Sequence, residues 1–150
     1  MLKNFFSKKK VIFPEIFLKF FLKKGNFKKA EINLKNLFKI LFDKTNLGQY
    51  SVLTKLYKIL YINFELRKIK KFRSSHIIIV PIKQNRRHFL IFRYLFDAIK
   101  RDKRNVSTVT KLVTEILKCI QNKESEVIKL KTLTKDLAFK NRSNVHYRWY

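Results

Sequence analysis

One change of rhythm divides this chain. From Pro14 to Leu60, and again from Asn85 to Leu137, apolar residues return every third or fourth position, the spacing that gathers side chains on one face of an α-helix. Between these blocks Ile62, Phe64 and Leu66 alternate with polar neighbours through Lys70. After Arg73, Ser74 and Ser75 comes the branched run Ile77, Ile78, Ile79 and Val80. Alternation followed by β-branched residues reads as paired strands. The pattern predicts a mainly α fold, a bundle of about six helices with a protruding two-stranded β-ribbon at residues 62–82, between the third and fourth helices.

The first helix is expected from Pro14, well placed in a first turn, to about Lys24, with Ile16, Phe17, Phe20 and Phe21 inward and Gly25 ending it. The second runs from about Phe27 to Asp43. Its inward stripe is Ala30, Leu34, Leu37, Phe38 and Leu41, and Lys28, Lys35 and Lys39 stand opposite. Asn46, Leu47 and Gly48 turn the chain into a third helix marked by Leu53, Leu56, Tyr57 and Leu60. Asn85 is placed to cap the fourth, NRRHFLIFRYLFDAIKR, where Phe89, Phe92, Phe96 and Ile99 share a face. Arg86, Arg93 and Lys100 recur there at every seventh residue, a second stripe that is positive along its length. The fifth helix carries Val109, Leu112, Val113, Ile116, Leu117 and Ile120. Ser125 and Glu126 start a sixth with Val127, Leu130, Leu133 and Leu137 inward and Lys131 and Lys135 outward. Length and the scarcity of proline suit one domain over 14–150, preceded by a basic arm over 1–13.

Charge decides what such a domain meets. There are 36 basic residues against 10 acidic ones, a net +26. Spread over a compact chain of radius roughly 19 Å at a Debye length of about 8 Å, that charge repels itself by on the order of 20 kcal/mol. An unfolded chain repels itself less, so the part opposing folding is comparable with a typical stability of about 5–15 kcal/mol. The chain is therefore expected to fold properly only against a polyanion. Its abundance of Lys, Asn, Ile and Phe with two glycines marks an A+T-rich coding sequence, so lysine is the weaker witness. Arginine is the better one, because its planar fork suits phosphates and guanine edges. All nine arginines lie from Arg67 onward. Shaped recognition is thus expected in the second part of the chain and diffuse attraction in the first.

The residues for catalysis are wanting. The carboxylates are scattered, the three histidines are far apart without metal-ligand spacing, and the two glycines stand singly rather than in a phosphate loop. His88 reads as a surface or phosphate contact and His146 as part of a packed terminal cluster. Cys119, the single cysteine, excludes a disulfide framework and reads as core. No apolar run approaches the roughly 20 residues of a membrane span. The opening MLKNFFSKKK has no acid, but it lacks arginine and a cleavage cue, so it reads as a retained arm. No enzyme, cofactor or metal is expected. Three anionic partners compete: structured RNA; duplex DNA, with the Asn85 helix in a major groove; and an anionic membrane surface, with the Phe-rich helix at Ile16 to Leu22 lying on it.

Asn85-Arg86-Arg87 followed by Arg93-Tyr94, after a basic hairpin, together with the closing His146-Tyr147-Arg148-Trp149, resembles the small-subunit ribosomal protein S7 family. The order of three helices, a basic ribbon and three more helices is the one that family implies, and Lys19-Phe20 and Lys28-Lys29-Ala30-Glu31 echo a family segment at shortened spacing. The resemblance implies that Arg86, Arg87 and Arg93 face small-subunit rRNA, and Lys100 and Arg101, basic residues further along the same helix, are expected beside them. Arg142, Tyr147, Arg148 and Trp149 join them from the closing segment. The resemblance implies that Arg67, Lys68 and Lys70 of the ribbon reach towards exit-site tRNA and the mRNA path, and the basic residues Lys71 and Arg73 are expected with them. The implied partners are the 3′ major domain of the rRNA and neighbouring small-subunit ribosomal proteins, without homo-oligomers or membrane insertion. Phe72, Arg73, Ser74 and Ser75 stand where the family usually has paired glycines, and Pro81 is displaced. The chain also stops at Tyr150 without the tail of some bacterial members. With the A+T-rich composition, this resembles an organelle-encoded version, mitochondrial ahead of plastid.

Overall fold

The computed structural model describes residues 12–147 except positions 72 and 122. Six helices and one ribbon follow in chain order: α1 (Ile12–Phe21), α2 (Phe27–Thr45), α3 (Gln49–Leu60), β1 (Phe64–Lys71), β2 (Ser74–Pro81), α4 (Gln84–Arg101), α5 (Thr108–Ile120) and α6 (Glu126–Lys140). A 3-10 segment, η1 (Arg142–Tyr147), closes the described chain. This is the expected order, with the ribbon between the third and fourth helices.

The boundaries follow from local chemistry. The side chain of Asn26 accepts a hydrogen bond from the Lys29 N–H at 3.1 Å, and Ser107 and Ser125 accept from the N–H groups of Thr110 and Val127. Each supplies one of the acceptors that a helix start lacks. At the other end of α2, Asn46 adopts the left-handed conformation (φ 51°) and its N–H returns to the Phe42 carbonyl at 2.8 Å. Asparagine is among the few residues that tolerate this. The fourth helix departs from expectation. Its cap position is Lys83, two residues before Asn85, without a side-chain cap, and Asn85 lies inside its first turn.

The core forms where α5 meets α2, α3, α4 and α6, with α1 laid across α2 and α4. Phe17 of α1 and Phe92 of α4 stack at 4.7 Å, and Leu37, Leu41, Leu56, Leu60, Leu95, Leu112 and Ile116 fill the interior. Burying leucine- and phenylalanine-sized side chains stabilises by about 1.5–3 kcal/mol each. That burial uses up the face the membrane reading needed: Phe17 and Phe21 point inward. Among the described residues no helix is long and apolar enough to cross a membrane.

Two helix faces differ from the sequence reading. On α4 the buried set is His88, Leu90, Ile91, Phe92, Leu95, Ala98 and Ile99, whereas Phe89 is 37% exposed and lies against Phe20 at 5.0 Å. The helix is buried over a wider arc than one stripe because α1, α3, α5 and α6 all touch it. His88 is 2% exposed, packed against the Tyr57 ring at 5.2 Å, not at the surface. On α6, Val127 and Ala138 are buried while Leu133 and Leu137 are exposed, and Lys131, expected outward, donates from Nζ to the Ile59 carbonyl at the end of α3.

The strands pair antiparallel from Phe64 opposite Pro81 to Lys71 opposite Ser74. Alternation gives the ribbon two faces. One carries Glu65, Arg67 and Ile69 opposite Val80, Ile78 and His76. Ile78 is 3% exposed, and η1 packs on β2.

Candidate nucleic-acid interface

Cations on the ribbon and on α4 converge on one acid. Arg86 closes a two-pronged hydrogen bond on Glu65, Nη2 donating to Oε1 at 2.6 Å and Nε to Oε2 at 3.1 Å. Arg67 Nη2 is 4.0 Å from the same carboxylate. The fork from Arg86 is the main reason that the Glu65 carboxyl is held below its usual range, with Arg86, Arg67 and Arg93 adding charge attraction against the cost of burial. A bidentate guanidinium–carboxylate pair fixes orientation as well as energy. Arg86 therefore ties the start of α4 to the base of β1.

Arg87 is also held from within. Its guanidinium lies over the Tyr61 ring at 4.6 Å, Nη2 donates to the Ile82 carbonyl at 3.5 Å, and Nε is buried without a hydrogen bond. Arg93 is half exposed, with Nε 3.6 Å from Asp97 Oδ2, and Lys100 is 3.6 Å from Asp97 Oδ1. Arg101 is exposed at the end of the helix. At 1.5 Å per residue, Lys100 is roughly 21 Å along α4 from Arg86. The stripe therefore belongs to two neighbourhoods, one beside the ribbon and one at the far end of the bundle.

On the ribbon Arg67, Lys68, Lys70 and Arg73 reach solvent, and the side chain of Lys71 lies outside the described residues. In the closing segment Arg142 lies over the Phe139 ring at 4.8 Å. Tyr147 stacks on His76 of β2 at 4.8 Å with the rings 18° apart, while the Asn144 side chain donates to the Ile77 carbonyl at 3.2 Å. The segment thus docks on the ribbon, through His76, a residue whose place no spacing in the sequence suggests. His146, expected in a packed cluster, is exposed. Arg148 and Trp149 lie outside the described residues.

Sequence reasoning missed a second cationic surface. At the far end of α4, Lys100 borders a groove with Lys23, Lys24, Lys29 and Lys39. These lysines come from three separate stretches of chain, so no spacing in the sequence could have joined them. Among the described residues no cluster of His, Cys, Asp or Glu could hold a metal ion.

Three vertebrate proteins named small ribosomal subunit protein uS7m are similar to part of this chain. The chicken protein (Gallus gallus) is 28% identical over 85 residues, 57% of this chain and 36% of its own length. Those of Xenopus laevis and Danio rerio are 27% and 31% identical over 85 and 86 residues. The matched stretch therefore spans little more than a third of these relatives. Across residues 5–142 the sequence fits the family model described as Ribosomal protein S7p/S5e, and the chain belongs to that family.

Proposed function

We propose that this chain is a structural constituent of the small subunit of a mitochondrial ribosome, without enzymatic activity. It binds the 3′ major domain of the small-subunit rRNA, helps to organise the subunit head beside neighbouring ribosomal proteins, and holds its ribbon towards exit-site tRNA and mRNA. Family membership and the relatives' names support the ribosomal role. The observation that carries the RNA contact is the imbalance of the ribbon. Glu65, the acid of its two strands, is at the base and claimed by Arg86 with Arg67 beside it, so Lys68, Lys70 and Arg73 project with little local compensation. RNA helices offer phosphates and 2′-hydroxyls more readily than base edges, so a ribbon of this kind acts by neutralisation and shape.

The test compares the protein on a 3′-domain rRNA fragment with its binding to duplex DNA of equal length and to anionic liposomes. RNA should bind most tightly, and replacing Arg67, Lys68 and Lys70 with alanine should weaken it about tenfold. It should also flatten the plot of log affinity against log salt by about 0.7–0.9 for each phosphate no longer neutralised. Equal affinity for DNA, or a shallow slope in the unaltered protein, would overturn the reading.

A further inference from the structure

The ribbon has two outer edges, and the chain treats them differently. The register sets Phe64 opposite Pro81, and one step beyond, the Ile82 N–H donates to the Asn63 carbonyl at 3.1 Å. In an antiparallel ladder, opposed residues alternate between pairs that exchange both hydrogen bonds and pairs that exchange none. Counted from the Asn63–Ile82 bond, the odd-numbered residues of β1 turn their N–H and C=O groups to β2. The even-numbered ones, Phe64, Leu66, Lys68 and Lys70, turn theirs outward. On β2 the same count turns Ile77 and Pro81 outward.

The β2 edge is closed. Pro81 has no N–H to offer an incoming strand, the Ile77 carbonyl accepts from the Asn144 side chain at 3.2 Å, and η1 packs along the strand. The β1 edge has none of these devices. Among the described residues no backbone hydrogen bond reaches its outward groups, and no element packs along β1 as η1 does on β2. Such an edge is a template for a further strand.

We infer that β1 takes an extended acidic segment of another protein as a third strand. Antiparallel pairing is the more stable of the two directions, so the segment runs from the ribbon tip to its base. It carries carboxylates opposite the exposed Lys70 and Lys68 and apolar residues opposite the half-buried Leu66 and Phe64. Charge selects this occupant. A second copy of β1 would bring Arg67, Lys68 and Lys70 beside their own kind, and like charges across a strand pair are destabilising. The chain's own opening, MLKNFFSKKK, is basic too. RNA phosphates can accept from the outward N–H groups but have no proton to donate to the carbonyls between them. Strand addition works through main-chain groups in the plane of the ribbon, whereas the proposed RNA contact works through side chains, so either can fail without the other.

The probe is an end-blocked peptide, Glu-Val-Glu-Glu-Val-Thr-Val, titrated into the full chain and followed by amide exchange in NMR spectra. At saturation, exchange should slow roughly tenfold or more at Leu66, Lys68 and Lys70 and stay unchanged at Arg67 and Ile69, whose N–H groups already face β2. N-methylation of the peptide's third and fifth residues, which face β1, should weaken binding roughly tenfold. N-methylation of its fourth, which faces away, should change binding less than about twofold while keeping the same charge. Lys68→Pro, which removes one outward donor and no rung of the ladder to β2, should weaken binding roughly fivefold. If that variant frays the ribbon, the two methylated peptides decide alone. Equal affinity of those peptides would reveal charge attraction without strand pairing and overturn the inference. So would unprotected even-numbered amides, their protection in the concentrated chain without peptide, which marks a second copy, or their protection by the rRNA fragment and not by the peptide. Affinity for that rRNA fragment, measured separately, bears on the proposed function alone.

Discussion

Arg86 shows how one residue can look like a ligand contact in the sequence and act as a tie in the fold. Its fork holds Glu65 below the usual carboxylate range, so the folded chain binds a proton there less readily than the unfolded one. The stability this adds is fully present above the ordinary value of 4.5 and is lost as pH falls through the folded value. Glu65→Gln should therefore flatten the acid limb of a stability-versus-pH curve. A double-mutant cycle with Arg86→Met should give a coupling of about 1 kcal/mol, kept modest by solvent around the half-exposed arginine. A coupling near zero would mean that Arg86 does not tie α4 to the ribbon. At the α5–α6 junction the buried hydroxyl of Ser125 donates to Glu115 Oε2 at 3.0 Å, accepts from the Val127 N–H, and meets the Cys119 sulfur at 3.2 Å. Lys118 donates to the other Glu115 oxygen at 2.9 Å. Ser125→Ala removes a helix cap and a donor to a buried carboxylate together, at an expected cost of about 2–3 kcal/mol in urea unfolding. Burial pushes the Cys119 thiol up, so a thiol reagent should label it only as fast as the protein opens.

At the level of elements, η1 acts as a clamp on the ribbon. An isolated two-stranded hairpin is marginal in water, and this one gains support from Tyr147 on His76 and from Asn144 on the Ile77 carbonyl. Asn144→Ala with Tyr147→Ala should raise amide exchange across β2 while leaving α5 protected. Unchanged exchange would mean that the body alone holds the strands. This contact also marks a limit of the sequence. Element types and order were legible because period and turn chemistry are local: Asn26, Asn46, Ser107 and Ser125 act within a few residues of where they stand. The buried arc of α4 was not legible, since it depends on how many neighbours a helix receives. The half-buried placement of Lys131 depends on the end of α3, distant in sequence, and the outward placement of Leu133 and Leu137 is likewise a product of packing. Of the candidate interface, the ribbon cations could be found from one stretch. The groove lysines could not, because they meet only after α1, α2 and α4 have packed.

For the whole molecule, the question is what an ordinary core must overcome. The acids are largely engaged locally: Glu31 with Lys35, Glu65 with Arg86, Asp97 with Arg93 and Lys100, Asp102 with Arg104, Glu115 with Lys118, and Glu126 with Lys129. The pairs at the surface add little to stability, and together these contacts leave the surplus of cations facing solvent. Raising ionic strength from about 0.02 M to about 0.5 M shortens the Debye length from about 20 Å to about 4 Å, which lowers the folded chain's self-repulsion by on the order of 20 kcal/mol. The unfolded chain is relieved as well, and the difference left to favour folding is on the order of a few kcal/mol. The melting temperature of the purified chain should then rise with salt by on the order of 10 °C. RNA should do more at constant ionic strength, because a ligand that binds only the folded state adds about 2.7 kcal/mol when present at about 100 times its dissociation constant. Scanning calorimetry in low salt, in high salt, and in low salt with RNA separates screening from binding. If the melt is independent of salt and unmoved by RNA, the excess charge is not what limits this fold, and the case for a polyanion as part of its folded state fails.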